Sequence, residues 1–233
     1  MIDLRDFERS IGVEFQDRSL LERAFIHRSY LNEHPKLGLE HNERLEFLGD
    51  AVLELVVTDY LYRHYVNPEG DLTNWRSALV KTESLSAVAE VVELAQFLKL
   101  SRGEAKGNDR SRALIGANAV EALLGALYLD QGYEASRSFI NKYIIANLPH
   151  ILKVGSWVDP KSKFQELAQE RDGLTPNYRV ISESGPDHDK VFVVGAYVGD
   201  KLCGKGDGSS KQAAQQVAAE QALKAYGYKQ QLA

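Results

Sequence analysis

The sequence predicts an all-α domain followed by a small α+β domain of order α-β-β-β-α. Three observations carry this expectation. From Met1 to about Leu152 apolar residues recur at helical spacing, broken at NPEGD (67–71), SRGEAKGNDRS (101–111) and DQG (130–132). The stretch NLPHILKVGSWVDPKSK then supplies a proline, a glycine-serine pair and a second proline, the composition of a short connector. After it the hydrophobic period changes. KSKFQELAQERDG sets Phe164, Leu167 and Ala168 at helical spacing ahead of a glycine stop, with Pro160 suited to the helix start. NYRVISES and KVFVVGAYVGDKLCG are β-rich and separated by GPDHD, and SSKQAAQQVAAEQALKAYG returns to helix. The expected bounds are a helical domain over 1–152, a linker over 153–158 and the α+β domain over 159–229.

With 233 residues, 44% hydrophobic and 26% charged, the chain can bury two modest cores. It opens on a charged segment without the apolar run of a signal peptide, and no stretch has eighteen uninterrupted apolar residues, so a cytoplasmic protein with no membrane partner is expected. The single cysteine, Cys203, excludes an intramolecular disulfide and a multi-cysteine zinc site. The net charge of −5 argues against a nucleic-acid partner at face value. Divided at 158/159, however, the chain has 18 Lys+Arg against 23 Asp+Glu before the boundary and 10 against 10 after it, so contact with a polyanion would depend on local placement.

The segment HNERLEFLGDAVLELVV (41–57) carries the most chemistry. At about 3.6 residues per turn, Glu43, Glu46, Asp50 and Glu54 fall in one stripe. Leu45, Phe47, Leu48, Ala51, Val52, Leu53, Leu55 and Val56 cover most of the remaining circumference, which predicts a helix largely inside the protein. Buried carboxylates call for a cation, a basic partner or a raised pKa. In ALIGANAVEALLGALYLD, Asn118 and Glu121 lie three residues apart and point the same way. If these two helices pack together, Glu46, Asp50, Asn118 and Glu121 could converge on an oxygen-only site of the kind Mg²⁺ or Mn²⁺ prefers. The competing reading is two solvated amphipathic faces.

HNERLEFLGDAVLE closely resembles the signature of the ribonuclease III family, and the nine-residue run ERLEFLGDA is a specific match. AFIHRSYLNE (24–33) resembles the helix that precedes that signature, ANAVEALLGALYLD (117–130) its second acidic helix, and the tail a double-stranded RNA-binding domain. The resemblance covers essentially the whole chain. It implies an endonuclease that cuts double-stranded RNA with a divalent metal, Mg²⁺ or alternatively Mn²⁺, in RNA processing and maturation. The products would carry 5′-phosphate and 3′-hydroxyl ends with a short 3′ overhang. By the same resemblance Glu46, Asp50, Asn118 and Glu121 are the metal ligands, Asp50 and Glu121 the catalytic pair, and Glu43 a rim residue closer to RNA.

The chain departs from the family at Asn118, where an aspartate is usual. An amide oxygen can ligate Mg²⁺ but neutralises less of its charge, so weaker metal affinity is expected. A tolerated natural variant, an engineered inactivation and a natural loss of cleavage all fit this change; we expect the first, with a cleavage-impaired RNA-binding protein as the alternative.

In the tail the resemblance implies three RNA contacts. Gln165 and Glu166 would meet 2′-hydroxyls of one minor groove, and His188, in GPDHDKVF, would enter the next. Ser210 and Lys211 would open the last helix toward phosphates of the intervening major groove. Gln212 stands where the family commonly has a second lysine. Read singly, Gln165, Glu166 and Lys211 are ordinary surface residues. A duplex with antiparallel strands also implies a two-fold homodimer with one site per subunit. Phe47 and Leu48 are candidate dimer contacts, with intramolecular core as the competing assignment. Glu69, Arg76, Lys106, Arg110 and Arg112, in two loops, are either RNA contacts near the cut or solvated charges.

Overall fold

A computed structural model describes residues 3–155, 157, 159–186 and 190–228. The chain divides into two units, Met1–Val154 and Gly155–Ala233.

In the first unit, α1 (Leu4–Ile11), α2 (Arg18–Ala24) and α3 (Arg28–Glu33) lead into the long helix α4 (Glu43–His64). Then come α5 (Glu69–Val80), α6 (Thr82–Val91), α7 (Asp109–Tyr143) and α8 (Leu148–Val154). Local chemistry sets several ends. The Asp3 carboxylate accepts from the Arg5 amide at the start of α1, and Gly12 ends that helix at φ 75°. Asn108 accepts from the Ser111 amide at 2.9 Å and starts α7. The break expected at DQG is a kink inside α7, where Gly132 adopts φ 80° and ψ −167°, an arrangement open to glycine. Asp109–Val154 is long and apolar enough to cross a membrane by length and composition, with 56% of its apolar window buried inside the protein.

The core of this unit is the pairing of α4 with α7. Leu45, Val52, Leu53, Val56 and Val57 on α4 are buried, as are Ala119, Val120, Leu123, Leu124 and Leu127 on α7. The expectation that α4 lies largely inside needs correction. Phe47 is 80% exposed and Leu55 59%, and Ala51 is also in solvent while Leu48 is half-buried. Helical periodicity reported an apolar circumference, but α7 and α5 pack on only part of it. Phe47 is therefore no intramolecular core residue.

The second unit starts with α9 (Pro160–Asp172), followed by β1 (Asn177–Ser184), β2 (Val191–Val198), β3 (Lys201–Gly208) and α10 (Lys211–Ala225). Asp159 caps α9 by accepting from the Ser162 amide at 2.7 Å, Pro160 occupies the first turn, and Gly173 ends the helix at φ 66°. The strands form one antiparallel sheet in the order β1-β2-β3, with register shifts between Val180 and Ser182 and between Ala196 and Tyr197. Phe164, Ala168, Ala196, Val198, Ala218, Ala219, Ala222 and Leu223 make its core. Strand β3 alternates glycine for a packing reason. A Cβ on Gly204 or Gly206 would come within 2.2 or 2.3 Å of the α10 backbone at Ala218, so helix and strand touch main chain to main chain.

Candidate active site

The acidic group stands where α4 crosses α7, and two glycines set the crossing. A Cβ on Gly49 would lie 1.7 Å from the Glu121 carbonyl oxygen, and one on Gly125 would lie 2.1 Å from the Leu45 carbonyl oxygen. With neither side chain present, the two backbones meet. Glu46 and Asp50, each one residue past a contact point on α4, are thereby brought to Asn118 and Glu121 on α7. Asn42 fixes the start of α4: it is only 3% exposed, its amide donates to the Ile26 carbonyl, and its side chain donates to the Ala24 carbonyl.

The electrostatics join these side chains into one group. Glu46, Asn118 and Glu121 are half-buried and Asp50 is exposed. Burial, and next the charges of Asp50 and Glu46, push the Glu121 carboxyl up to about 7. The Glu46 carboxyl is raised first by burial, then by Glu43; the Asn118 side-chain amide works in the opposite direction, and Asp50 adds to the rise. Three carboxylates thus act on one another across the helix crossing, with the Asn118 amide against one of them. The donors are all oxygen-bearing side chains, which suits a hard divalent cation. Among the described residues no three acidic, histidine or cysteine side chains close on a single point. Glu46, Asp50, Asn118 and Glu121 nonetheless interact with one another at the crossing, and the like charges of the three carboxylates repel.

Around it the rim sets basic side chains against carboxylates. Glu43, exposed as the sequence implied, has Arg28 Nη1 at 3.6 Å and His41 Nδ1 at 3.7 Å. Neither partner was singled out from the sequence, because both depend on how the segment before α4 folds back. Glu54 pairs with Arg76 at 3.3 Å, and Arg76 also donates to the Thr58 hydroxyl. Arg76 is thus engaged within the protein, and Glu69 accepts from Thr73 in the first turn of α5. Arg112 pairs with Asp109, while Lys106 and Arg110 are exposed.

In the second unit Gln165 and Glu166 are exposed on α9, and Lys163 donates to both Glu166 oxygens at 2.9 Å. The Ser210 hydroxyl caps α10, accepting from the Ala213 amide at 3.1 Å. Lys211 is exposed with its Nζ 3.3 Å from Glu183, and Gln212 is exposed beside it. His188 lies outside the described residues.

Comparison with known proteins matches these two arrangements separately. Residues 17–148 fit the model of the ribonuclease-III-like family, and residues 160–226 fit the double-stranded RNA binding motif. The chain is 45% identical over 226 residues to ribonuclease 3 of Oceanobacillus iheyensis, covering 95% of this chain and 97% of that protein. Ribonuclease 3 of Dehalococcoides mccartyi is 43% identical over 227 residues, with 97% and 96% covered. The crystal structure of the nuclease domain of Campylobacter jejuni ribonuclease III is similar at 36% identity and a TM-score of 0.56, covering 64% of this chain and 98% of that one. The family is metal-dependent, and the double-stranded RNA binding motif supports binding of duplex RNA. An acidic helix crossing and a duplex-binding module, matched over nearly the full length of both chains, show that this chain belongs to the ribonuclease III family and is an endonuclease of double-stranded RNA.

Proposed function

We propose that this chain works as a homodimer with Mg²⁺, each subunit cutting one strand of an RNA duplex, and that Glu46, Asp50, Asn118 and Glu121 hold the cation. The observation that carries the assignment is the coupling of Glu46, Asp50 and Glu121 across the Gly49–Gly125 contact, with Glu121 raised to about 7. Oxygen donors and accumulated negative charge fit Mg²⁺, and Mn²⁺ would serve in its place. The chemistry a bound divalent cation supplies is Lewis acidity toward the phosphate and a lowered pKa for water.

The protein's own part is positional and electrostatic. Hydrolysis forms a bond from water oxygen to phosphorus and breaks the bond to the 3′ oxygen, leaving 3′-hydroxyl and 5′-phosphate ends. Without metal, burial and the charges of Asp50 and Glu46 hold the Glu121 carboxyl at about 7; as a cation ligand it would be deprotonated and would orient the cation toward the phosphate. Exposed Asp50 adds negative charge at the same place, within reach of solvent. Arg28, 3.6 Å from Glu43, adds a positive charge at the rim that can meet a phosphate. Gln165, Glu166, His188, Ser210 and Lys211 engage the duplex through 2′-hydroxyls and phosphates.

Dimerisation is supported by the uncovered face of α4. Phe47, Ala51, Leu55 and Tyr62 share one side of the helix and all four are exposed. Covering the exposed parts of Phe47 and Leu55 with a second subunit would contribute about 1–2 kcal/mol each. A related Campylobacter jejuni structure is described for flexibility in a region involved in dimer formation of its nuclease domain.

The test is incubation of the full chain with end-labelled duplex RNA in Mg²⁺, in Mn²⁺ and in chelator, beside Glu121→Gln. Cleavage in either metal, lost in chelator and in the variant, is expected. A variant that cut at the parent rate would remove Glu121 from the site.

A further inference from the structure

In the second unit one carboxylate is shared by two lysines from different elements. Lys190, just ahead of β2, has its Nζ 3.6 Å from Glu183 Oε2. Lys211, the first residue of α10, has its Nζ 3.3 Å from Glu183 Oε1. Both ammonium groups also lie over the Phe192 ring, at 6.0 and 5.6 Å from its centroid. Strand, strand entry and helix start thus contribute to one small cationic seat, with the carboxylate of edge strand β1 in it.

Stability gives a weak reason for this arrangement. Glu183 and Lys190 have side chains 37% exposed and Lys211 59%, and exposed pairs of long side chains contribute little. The stereochemistry gives a stronger one. A carboxylate that offers a separate anionic oxygen to each of two ammonium groups presents what the two non-bridging oxygens of a phosphodiester present. The same Lys211 stands at the helix start expected to meet RNA phosphates.

We propose that Glu183 is an internal stand-in for an RNA phosphate: it occupies a two-lysine seat formed by Lys190 and Lys211, and duplex RNA binds there by displacing it. The proposal rests on the duplex-binding reading and adds Lys190 and Glu183 to the residues that determine affinity. Its consequence is a built-in brake. Glu183 cancels part of the positive charge that the two lysines present to RNA, so binding is weaker and depends less steeply on salt than it would without that carboxylate.

The experiment measures binding of the full chain to a fluorescent RNA duplex in chelator, where cleavage is suppressed, across a salt series. Glu183→Gln and Glu183→Ser should both tighten binding about threefold to tenfold at moderate salt, from removal of a charge within a few ångströms of the bound phosphate. The slope of log affinity against log salt should steepen by up to about one. Lys190→Gln and Lys211→Gln should each weaken binding, and with both lysines replaced the gain from Glu183→Gln should vanish. Unchanged or weaker binding in both Glu183 variants, with the lysine variants still impaired, would overturn the stand-in role while leaving duplex binding in place. A parent chain with no preference for duplex over single-stranded RNA would overturn the duplex-binding reading itself, and this proposal with it.

Discussion

A methyl group on Gly49 would stand 1.7 Å from the carbonyl oxygen of Glu121. No side-chain rotation relieves such an overlap, because the obstacle is main chain, and the same holds for Gly125 against Leu45. The glycine in the signature helix therefore sets the distance between two acid-bearing helices.

Gly49→Ala and Gly125→Ala are expected to destabilise the fold by about 3 kcal/mol or more, since the helices must separate and part of the buried α4–α7 interface is lost. Gly70→Ala is the control without a clash: nothing lies within 4 Å of its added methyl, so no loss of stability is expected there. Thermal unfolding of the three variants checks this. A Gly49→Ala protein as stable and as active as the parent would show that the crossing tolerates separation.

Glu121 gives the protein a pH dependence of definite sign. Its folded-state pKa is raised from 4.5 to about 7, so the folded protein holds a proton that the unfolded chain has released. The associated stability is complete below about 4.5 and is lost as pH rises through about 7. Glu121→Gln keeps the shape without the charge. In chelator the variant should exceed the parent by about 1–2 kcal/mol above pH 7, a figure reduced for partial solvent screening, and the gap should close near pH 4.5. Cation binding by the parent should strengthen over the same interval, because a ligating carboxyl must first lose its proton. Melting curves at pH 5 and 8 decide the matter, and an equal gap at both would mean that Glu121 is not the titrating group.

Phe47→Glu tests the uncovered face of α4. Phe47 is 80% exposed, so monomer stability should change by no more than about 0.5 kcal/mol, whereas a charge buried between subunits is strongly unfavourable. Sedimentation should show a dimer for the parent and a monomer for the variant at the same micromolar concentration. A variant that remained dimeric would move the interface elsewhere.

These residues also show what could be read from the chain alone. The stripe of Glu43, Glu46, Asp50 and Glu54 and the Asn118–Glu121 pair were legible because helical spacing is local. The change of period near Pro160 was legible for the same reason, and it separated the α-β-β-β-α unit from the helices before it. The contact of Gly49 with Glu121 was not, since it joins helices far apart in sequence and its signal is a missing side chain. Nor could periodicity tell Val52, which is buried, from Phe47, which faces water: both are apolar positions on one helix. The pairing of Glu183 with Lys211 was hidden because it needs the sheet register and the start of α10 together. In each case the sequence shows what a residue can do, and the tertiary neighbour decides whether it does.

Asn118 stands where the resemblance to ribonuclease III implies an aspartate, and the site gives that difference a measurable sign. Its amide offsets part of the rise at Glu46, whereas a carboxylate at the same place would add a further negative charge beside Glu46, Asp50 and Glu121. Asn118→Asp should therefore lower the melting temperature in chelator by a few degrees, through like-charge repulsion in a half-buried group. The same charge should attract a divalent cation, so half-maximal cleavage should shift to Mg²⁺ concentrations several-fold lower, and the melting gap should close as Mg²⁺ is added. The two effects have one cause and must move together. A variant with unchanged Mg²⁺ dependence and unchanged stability in chelator would show that Asn118 faces neither the cation nor the acids.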